Sequence, residues 1–401
     1  MRNIVEALKR IIENNKVVFV IYCLMAIIAS IQLINADQKT FGNGEELYEK
    51  YNNYVIFKTS NTHLIEGDDL YAEYPDEHWD LYKYSPTFAA FFGVFAIFPD
   101  WLGLTLWSLL NVLVLFAGIY YLPKLSQLQK GLIAILCLPE LVTSIQNQQS
   151  NVLIAGLIIL AFAWLEHKKY FWAIFLIMFS VFIKLFGLVA FALLLFYPKK
   201  FRLAYYTVLS ILILAILPLL FIGFEDYQQQ LLSFFDMLSN DFSESYGYSV
   251  MGWLNTWFGW SINKLLVVAC GVIIFMLPFY KFKSFQVYDL RFLTMTSILI
   301  WVVIFNHKAE SPTFIIAMSG VVLWFIYSEK TKINITLFIL AFIFTGLVAT
   351  DLFPKSMRQH FLEPYAIKVV PCIIIWVKII YDMMRVQVPS IELESKNKIR
   401  S

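Results

Sequence analysis

Charge is scarce in this sequence. Of 401 residues only 15% are Asp, Glu, Lys or Arg, where soluble globular domains carry about 25%. That figure does not fit a soluble enzyme of one or two domains. A hydrophobic share of 59% likewise excludes a disordered chain. The formal net charge is +2, so there is no basic excess and no nucleic-acid partner is expected. Cysteine is sparse too. Cys23, Cys137, Cys270 and Cys372 each lie in an apolar run, and no two share a CxxC spacing. This argues against a disulfide framework or a thiolate metal site, and for small buried side chains. Walker A, GxSxG, HExxH and GxGxxG patterns are missing, which removes support for ATP-driven transport and soluble-type hydrolysis.

Apolar length is what the sequence has in abundance. Mean hydropathy is +0.67. Runs able to cross roughly 30 Å of hydrocarbon fall near 17–35, 101–121, 131–146, 150–166, 202–222, 262–280, 290–306, 311–328, 333–350 and 366–385. The expected fold class is therefore all-α, a polytopic transmembrane helix bundle with the lipid bilayer as its solvent. Residues 1–16 are polar and basic, and no small-residue cleavage site follows, so 17–35 reads as a retained first span. The expected organisation is a cytoplasmic segment 1–16, a transmembrane domain 17–385 and a cytoplasmic tail 386–401.

Two stretches are ambiguous. The run 87–98, bracketed by Pro86 and Pro99, is short for a span. The run 169–197 is long for one span and is interrupted by Lys184, with Gly187 close behind. It is either one tilted helix or two short ones meeting at Lys184. Charge placement arbitrates, because cytoplasmic loops collect Lys and Arg. The clusters Lys124/Lys130, Lys168/Lys169, Lys199/Lys200/Arg202, Lys281/Lys283/Arg291, Lys330/Lys332 and Lys396/Lys398/Arg400 share one face under a single arrangement. In it, 87–98 stays in the outer interface and 169–197 turns back at Lys184. About twelve spans result, with both termini inside, although Lys355 and Arg358 then fall outside. The rival arrangement crosses at 87–98 and keeps 169–197 whole, which puts Lys124, Lys130, Lys168 and Lys169 outside.

The outer loops, 36–100 and 223–261, then have a distinct character. Loop 36–85 carries eleven acids among seven tyrosines, two histidines and Trp79. Topology accounts for few bases in an outer loop but not for so many acids. Carboxylates mixed with aromatic rings suit a sugar-handling site, accepting hydroxyls and offering flat apolar faces. Within it, residues 45–58 have helical spacing of apolar positions, fit for an amphipathic helix on the membrane. EGDDLY reads as a helix stop and turn, and KYSP leads into 87–98.

Four further places could carry chemistry. QNQQSN at 146–151 is either a polar turn or the mouth of a wet cavity. Lys184 must snorkel, pair or meet a ligand, and as a point charge it suits a phosphate. NHKAESP at 306–312 gathers His307, Lys308 and Glu310. Lys308 or His307 would contact a phosphate there, or else form a solvated turn, while Ser311 and Pro312 look like a helix cap and first turn. The Gly- and Trp-rich stretch 247–260 reads equally as an interfacial aromatic belt or a substrate-facing loop.

Taken together, these motifs resemble glycosyltransferase family 87. EGDDLY followed by KYSP is similar to its G-x-x-L-Y … Y-x-P signature. QQSN is similar to its G-Q-x-N, with Gln149 and Asn151 matching and Gln148 in place of Gly. IKLFGLV is similar to its K-P-x-P, with Lys184 matching and Leu185 and Gly187 replacing the prolines. The resemblance runs over about residues 17–320. It implies a GT-C type integral-membrane enzyme that moves a hexose, mannose in the characterised branch, from a polyprenyl-phosphate sugar donor to a glycan or glycolipid acceptor. It also implies action at the outer face of a bacterial inner membrane. No cofactor or metal site is expected; a divalent metal is compatible but not required. The implied donor-phosphate residues are Lys184, Lys308 and His307. The implied substrate contacts are Asn53, Tyr71, Tyr84, Gln149, Asn151 and Glu310. One departure stands out: Asn52-Asn53-Tyr54 occupies the place of the family's early Asp, and an amide is no base. Another carboxylate would then serve, among Asp68, Asp69, Asp76 and Asp80 or Glu45, Glu46 and Glu49, unless activity is altered or lost. The other readings are a non-catalytic or transport component of envelope glycan assembly and a lipid-diphosphate-dependent sugar polymerase or ligase.

Overall fold

The structure, a computed structural model, describes residues 2–42, 46–240, 245–280, 285–350 and 352–386. Glu45 and almost all of the tail 386–401 lie outside the described residues. Among those described the chain is all-α: helices follow one another, and the one β-type pairing is an isolated bridge between Lys39 and Tyr48. It is a polytopic helical membrane protein. Three helices have the length and apolar composition of a crossing, Asn15–Ile34, Asp100–Tyr121 and Lys200–Leu220. The expected run 131–146 is instead a pair, Gln127–Leu136 and Leu138–Gln146, bent by 46°. Pro139 starts the second half, where it cannot donate to the preceding turn. Among the described residues seven shorter apolar helices, of 10–17 residues, fall on 87–98, on 169–197 and on the runs 150–166, 262–280, 311–328 and 333–350, while Tyr288–Ile304 and Val370–Arg385 occupy the runs 290–306 and 366–385.

The chain divides into two compact units. The first comprises residues 1–191, 199–244 and 311–316. Its helices are α1 (Arg2–Glu13), α2 (Asn15–Ile34), α3 (Asn52–Glu66), α4 (Pro86–Ala96), α5 (Asp100–Tyr121), α6 (Gln127–Leu136), α7 (Leu138–Gln146), α8 (Asn151–Glu166), α9 (Tyr170–Ile183), α10 (Lys200–Ile216) and α11 (Phe224–Asn240). The pair α5 and α8 has the most extensive packing. Glycines permit it. A Cβ on Gly156 would sit 2.5 Å from the Leu115 amide nitrogen and 2.7 Å from the Val114 carbonyl carbon, and one on Gly118 would sit 2.9 Å from the Gly156 carbonyl oxygen. In lipid, where water drives no association, such close backbone approach is a main source of helix adhesion. Gly156→Val is therefore expected to push α5 from α8 and cost about 1–3 kcal/mol. Thermal unfolding in detergent measures it, and an unchanged midpoint would contradict the contact.

α3 and α4 sit together in the first unit. The expected helix over 45–58 starts at Asn52 and runs to Glu66. The residues before it are held otherwise, because Lys39 and Tyr48 exchange both backbone hydrogen bonds at 2.9 and 3.0 Å. The stop falls where EGDD implies, with Gly67 in the left-handed conformation, φ 83°. The apolar side of α3 is buried: Phe57 stands edge-on to Tyr84, Phe88, Phe92 and Trp107 at 4.8–6.0 Å between centroids. The run 87–98 is helical only as α4, 11 residues or about 16 Å, short of a bilayer.

The long run 169–197 breaks where Lys184 interrupts it. α9 ends at Ile183, Lys184 is extended (φ −140°, ψ 140°), and a 3₁₀ segment follows over Leu185–Phe196. Gly187 lies so near the last turn of α9 that a Cβ would fall 2.2 Å from Ser180 Oγ.

The second unit comprises residues 192–198, 245–310 and 317–401. Trp376 Nε1 donates to Ser297 Oγ at 2.9 Å, joining helices Val370–Arg385 and Tyr288–Ile304. Phe325 and Phe338 stack at 3.9 Å.

Candidate functional site

The end of the first loop is built onto the break in α9. Ser85 caps α4, accepting from the Phe88 amide at 3.3 Å, and Pro86 occupies the first turn. The same hydroxyl donates to the Phe182 carbonyl, two residues before Lys184. Tyr84 is thereby fixed beneath the lysine. Its ring stacks on Phe88 at 4.9 Å, and Lys184 Nζ lies 5.3 Å from its centroid. The Phe186 ring lies 5.5 Å from the same ammonium.

The amide turn arrives from the other side. Gln148 is buried with φ 51°, and its carbonyl accepts from Trp107 Nε1 at 2.8 Å. Asn111 of α5 accepts from the Leu153 amide at 3.0 Å, satisfying one donor at the start of α8. Asn151 opens α8. Its Oδ1 accepts from Lys184 Nζ at 3.1 Å, and its Nδ2 donates to Gln149 Oε1 at 2.6 Å. Lys184 is half-buried and, among the described residues, has no carboxylate partner. An ammonium carries three donors, and Asn151 takes one. The positive end of the α8 dipole adjoins it. The expected contacts Tyr84, Gln149, Asn151 and Lys184 thus come together from three separate sequence segments. Tyr71 joins them, its hydroxyl donating to the Tyr84 carbonyl at 2.9 Å. Burial, and then the charge of Asp69, hold its phenol well above the ordinary pKa, so it stays a donor.

Beside this cluster lies a cavity of about 510 Å³ lined by Asp69, Tyr71 and Lys83 of the first loop and by Gln229, Ser233 and Asp236 of α11. Gln230 secures the two loops. Its Oε1 accepts from the Leu70 amide at 3.1 Å and its Nε2 donates to the Asp68 carbonyl at 2.7 Å. Asp69 is one of the residues lining the cavity, and its carboxylate accepts from the Tyr71 amide at 3.0 Å and Ser233 Oγ at 3.2 Å. The other candidate bases differ. Asp80 is paired with Lys83 at 2.7 Å. Asp68 and Asp76 are exposed, as Asp69 is, but neither lines the cavity.

Asn52 is engaged on both atoms of its amide, donating to the Trp79 carbonyl at 2.8 Å and accepting from the Trp79 amide at 2.9 Å. Asn53 donates to the Asn147 carbonyl at 2.9 Å, tying α3 to the amide turn. His307, Lys308 and Glu310 belong to the second unit. There Asn306 Oδ1 accepts from the Lys308 amide at 3.0 Å, and Tyr248 N–H donates to the Ala309 carbonyl at 2.9 Å. Gly247, φ 51°, makes that approach feasible, since a Cβ would meet the His307 carbonyl at 2.6 Å. Ser311 begins a short 3₁₀ turn, Ser311–Thr313, that runs into Phe314–Tyr327.

The first loop also contains a titrating group. His78 is buried, and burial lowers its pKa from the ordinary 6.5 despite the Asp80 carbonyl and Glu77, which raise it. A base with a depressed folded pKa stabilises the fold above its unfolded value. That stability is lost as pH falls through the folded value. Protease cleavage of the first loop is expected to accelerate from pH 7.5 to 5 in the wild type and to change less in His78→Gln. Equal pH dependence in both would remove His78 as the cause.

Fold and site define a polytopic membrane protein whose polar side chains gather where apolar helices break. The sequence profile of glycosyltransferase family 87 matches residues 82–306, more than half of the chain, and the chain belongs to that family. It is a membrane glycosyltransferase. No curated protein matches it. The matched stretch includes Tyr84, Gln149, Asn151 and Lys184, and it begins after Asp68, Asp69, Asp76 and Asp80 and ends before His307.

Proposed function

We propose that this protein transfers a hexose, mannose foremost, from a polyprenyl-phosphate donor to a glycan or lipid-linked acceptor. The reaction is of GT-C type, at the outer face of a bacterial inner membrane. The observation that carries the reading is Lys184: a half-buried ammonium at a helix break, held by Asn151 over the Tyr84 ring. Its remaining donors suit the phosphate of a lipid donor, and the dipole of α8 adds to them.

In the proposed step, Asp69 takes the proton from an acceptor hydroxyl as that oxygen attacks the anomeric carbon. The bond from that carbon to the phosphate oxygen breaks, and polyprenyl phosphate leaves with the electron pair. Lys184 offsets the charge developing on the leaving oxygen. Asp69 is preferred because it lines the cavity beside Tyr71, which bonds to Tyr84 under Lys184. A lysine-neutralised phosphate makes no metal obligatory.

The test is reconstitution of the purified protein with a panel of polyprenyl-phosphate sugars and an envelope-glycan extract. Acceptor-dependent release of polyprenyl phosphate from one sugar is expected. No release, with the lipids shown to bind, favours a second reading, a non-catalytic component of glycan assembly. The engagement of Asn52 as a backbone clamp supports that alternative.

A further inference from the structure

A second cavity of about 510 Å³ lies in the first unit, between the end of α2, the segment leading into α3 and the amide turn. Its walls carry Lys39, Lys50, the ring of Phe41 and the amides of Asn53, Gln146 and Asn147. Among the described residues no carboxylate lines it, and neither lysine makes an ion pair. This is unexpected in a loop with eleven acids and four lysines. The nearby acids are turned to other partners: Glu49 accepts from Gln38 at 2.7 Å, and Glu46 from the Tyr48 hydroxyl.

The walls are built. The Lys39–Tyr48 bridge fixes the strand of chain that bears Lys39 and Phe41, and Lys39 Nζ lies 4.2 Å from the Phe41 centroid. Tyr48 is anchored in turn, its single hydroxyl proton shared between Glu46 and the Pro75 carbonyl oxygen, which lies 2.8 Å away. Burial and the charge of Lys50 pull the pKa of Lys39 below its ordinary value, a repulsion that a bound anion would relieve. Asn53 spends its Nδ2 on the Asn147 carbonyl, which leaves its Oδ1 as an acceptor on the wall. Gln146 contributes a donor and an acceptor beside it. Side-chain amides match vicinal hydroxyls, which both donate and accept. The volume lies within the roughly 300–1,000 Å³ of small-molecule sites.

We propose that this cavity binds an acidic saccharide, with its oxyanion, carboxylate or phosphate, on Lys39 and Lys50 and its hydroxyls on the amides. That the saccharide is the acceptor of the transfer reaction rests on the function proposed above; the binding itself does not. With no carboxylate on its walls among the described residues, the cavity anchors the acceptor at a distance from the hydroxyl that loses its proton.

The experiment is calorimetric titration of the full-length protein in phosphatidylcholine nanodiscs. The probes are tetragalacturonate, maltotetraose, glucose 6-phosphate and inorganic phosphate. At least one acidic sugar is expected to bind about tenfold or more tighter than maltotetraose, and the tighter of the two names the oxyanion. The double variant Lys39→Gln/Lys50→Gln is expected to lose that preference, while Lys9→Gln keeps it. If the double variant does not fold, Asn53→Asp serves instead, expected to weaken acidic binding by placing a carboxylate on the wall. Equal binding of maltotetraose, or unchanged binding by the substituted protein, overturns the proposal. So does inorganic phosphate matching glucose 6-phosphate while tetragalacturonate fails to bind. Loss of binding in phosphatidylglycerol nanodiscs assigns the lysines to a lipid headgroup and overturns it as well. Acidic-sugar binding without transfer keeps the cavity and rejects the enzymatic reading; transfer without acidic-sugar binding does the reverse.

Discussion

Lys184→Ala is expected to lower transfer by about 10²–10³-fold, the usual cost of one preorganised group at a developing charge. Lys168→Ala, at the turn between α8 and α9, is expected to stay within about twofold, as exposed substitutions do. Both changes remove a lysine from the first unit, so any general effect of net charge on the membrane or the substrate is shared. Position separates them. Lys184 is half-buried, bonded to Asn151 and flanked by Tyr84 and Phe186. Lys168 is exposed in a left-handed turn, φ 60°. Lys184→Arg tests the geometry further. A planar guanidinium does not fill the place of a compact ammonium between two rings, so only partial recovery is expected. The measurement is polyprenyl phosphate released per minute in nanodiscs. Similar small losses for Lys184→Ala and Lys168→Ala would sink the phosphate assignment.

Asn52→Asp is expected to lose about 1–3 kcal/mol of stability and to gain no transfer. The change looks like a repair, since it returns a carboxylate to the place where the family resemblance implies one. The structure argues otherwise. Asn52 is 5% exposed and holds Trp79 by donating to its carbonyl and accepting from its amide. A carboxylate keeps the second bond and sets a charged oxygen against the Trp79 carbonyl in place of the first. Thermal unfolding and the transfer assay read the two halves separately. A variant of unchanged midpoint and higher activity would show that the catalytic base belongs at Asn52 and that the clamp is dispensable.

Much of the site was legible because it follows local rules. The break at Lys184 was one of the two readings of the run 169–197, and α9 does end at Ile183. The Gly of EGDD stops α3, and Ser85 with Pro86 starts α4. The bond between Lys184 and Asn151 was not visible, but both residues stood out as polar groups in apolar surroundings. What stayed hidden are the amide clamps. Asn52 reaches Trp79 27 residues on, and Gln230 reaches Leu70 160 residues back. Such pairings have no period and no fixed spacing, and an isolated Asn or Gln in a polar loop gives no signal. The start of α3 was misplaced for a related reason: apolar spacing over 45–58 does not reveal that Lys39, nine residues before Tyr48, pairs with it. The cavity around Lys39 and Lys50 was concealed in the same way, by a loop whose overall composition is acidic.

The broken end of α9 has a consequence for hydration. An uninterrupted helix hides its backbone from lipid, whereas a break leaves amide and carbonyl groups that hydrocarbon cannot satisfy. Here Ser85 supplies a hydroxyl to the Phe182 carbonyl, and the Lys184 amide returns to Ser180 at 2.9 Å. Among the described residues, Lys184 itself spends one of its three donors on Asn151. Such a place is tolerable only beside solvent or a polar guest. Under the proposed chemistry, water thus stands beside the very bond that an acceptor must attack. Every turnover is then a contest between glycosylation and hydrolysis, decided by how completely the arriving glycan dries the site.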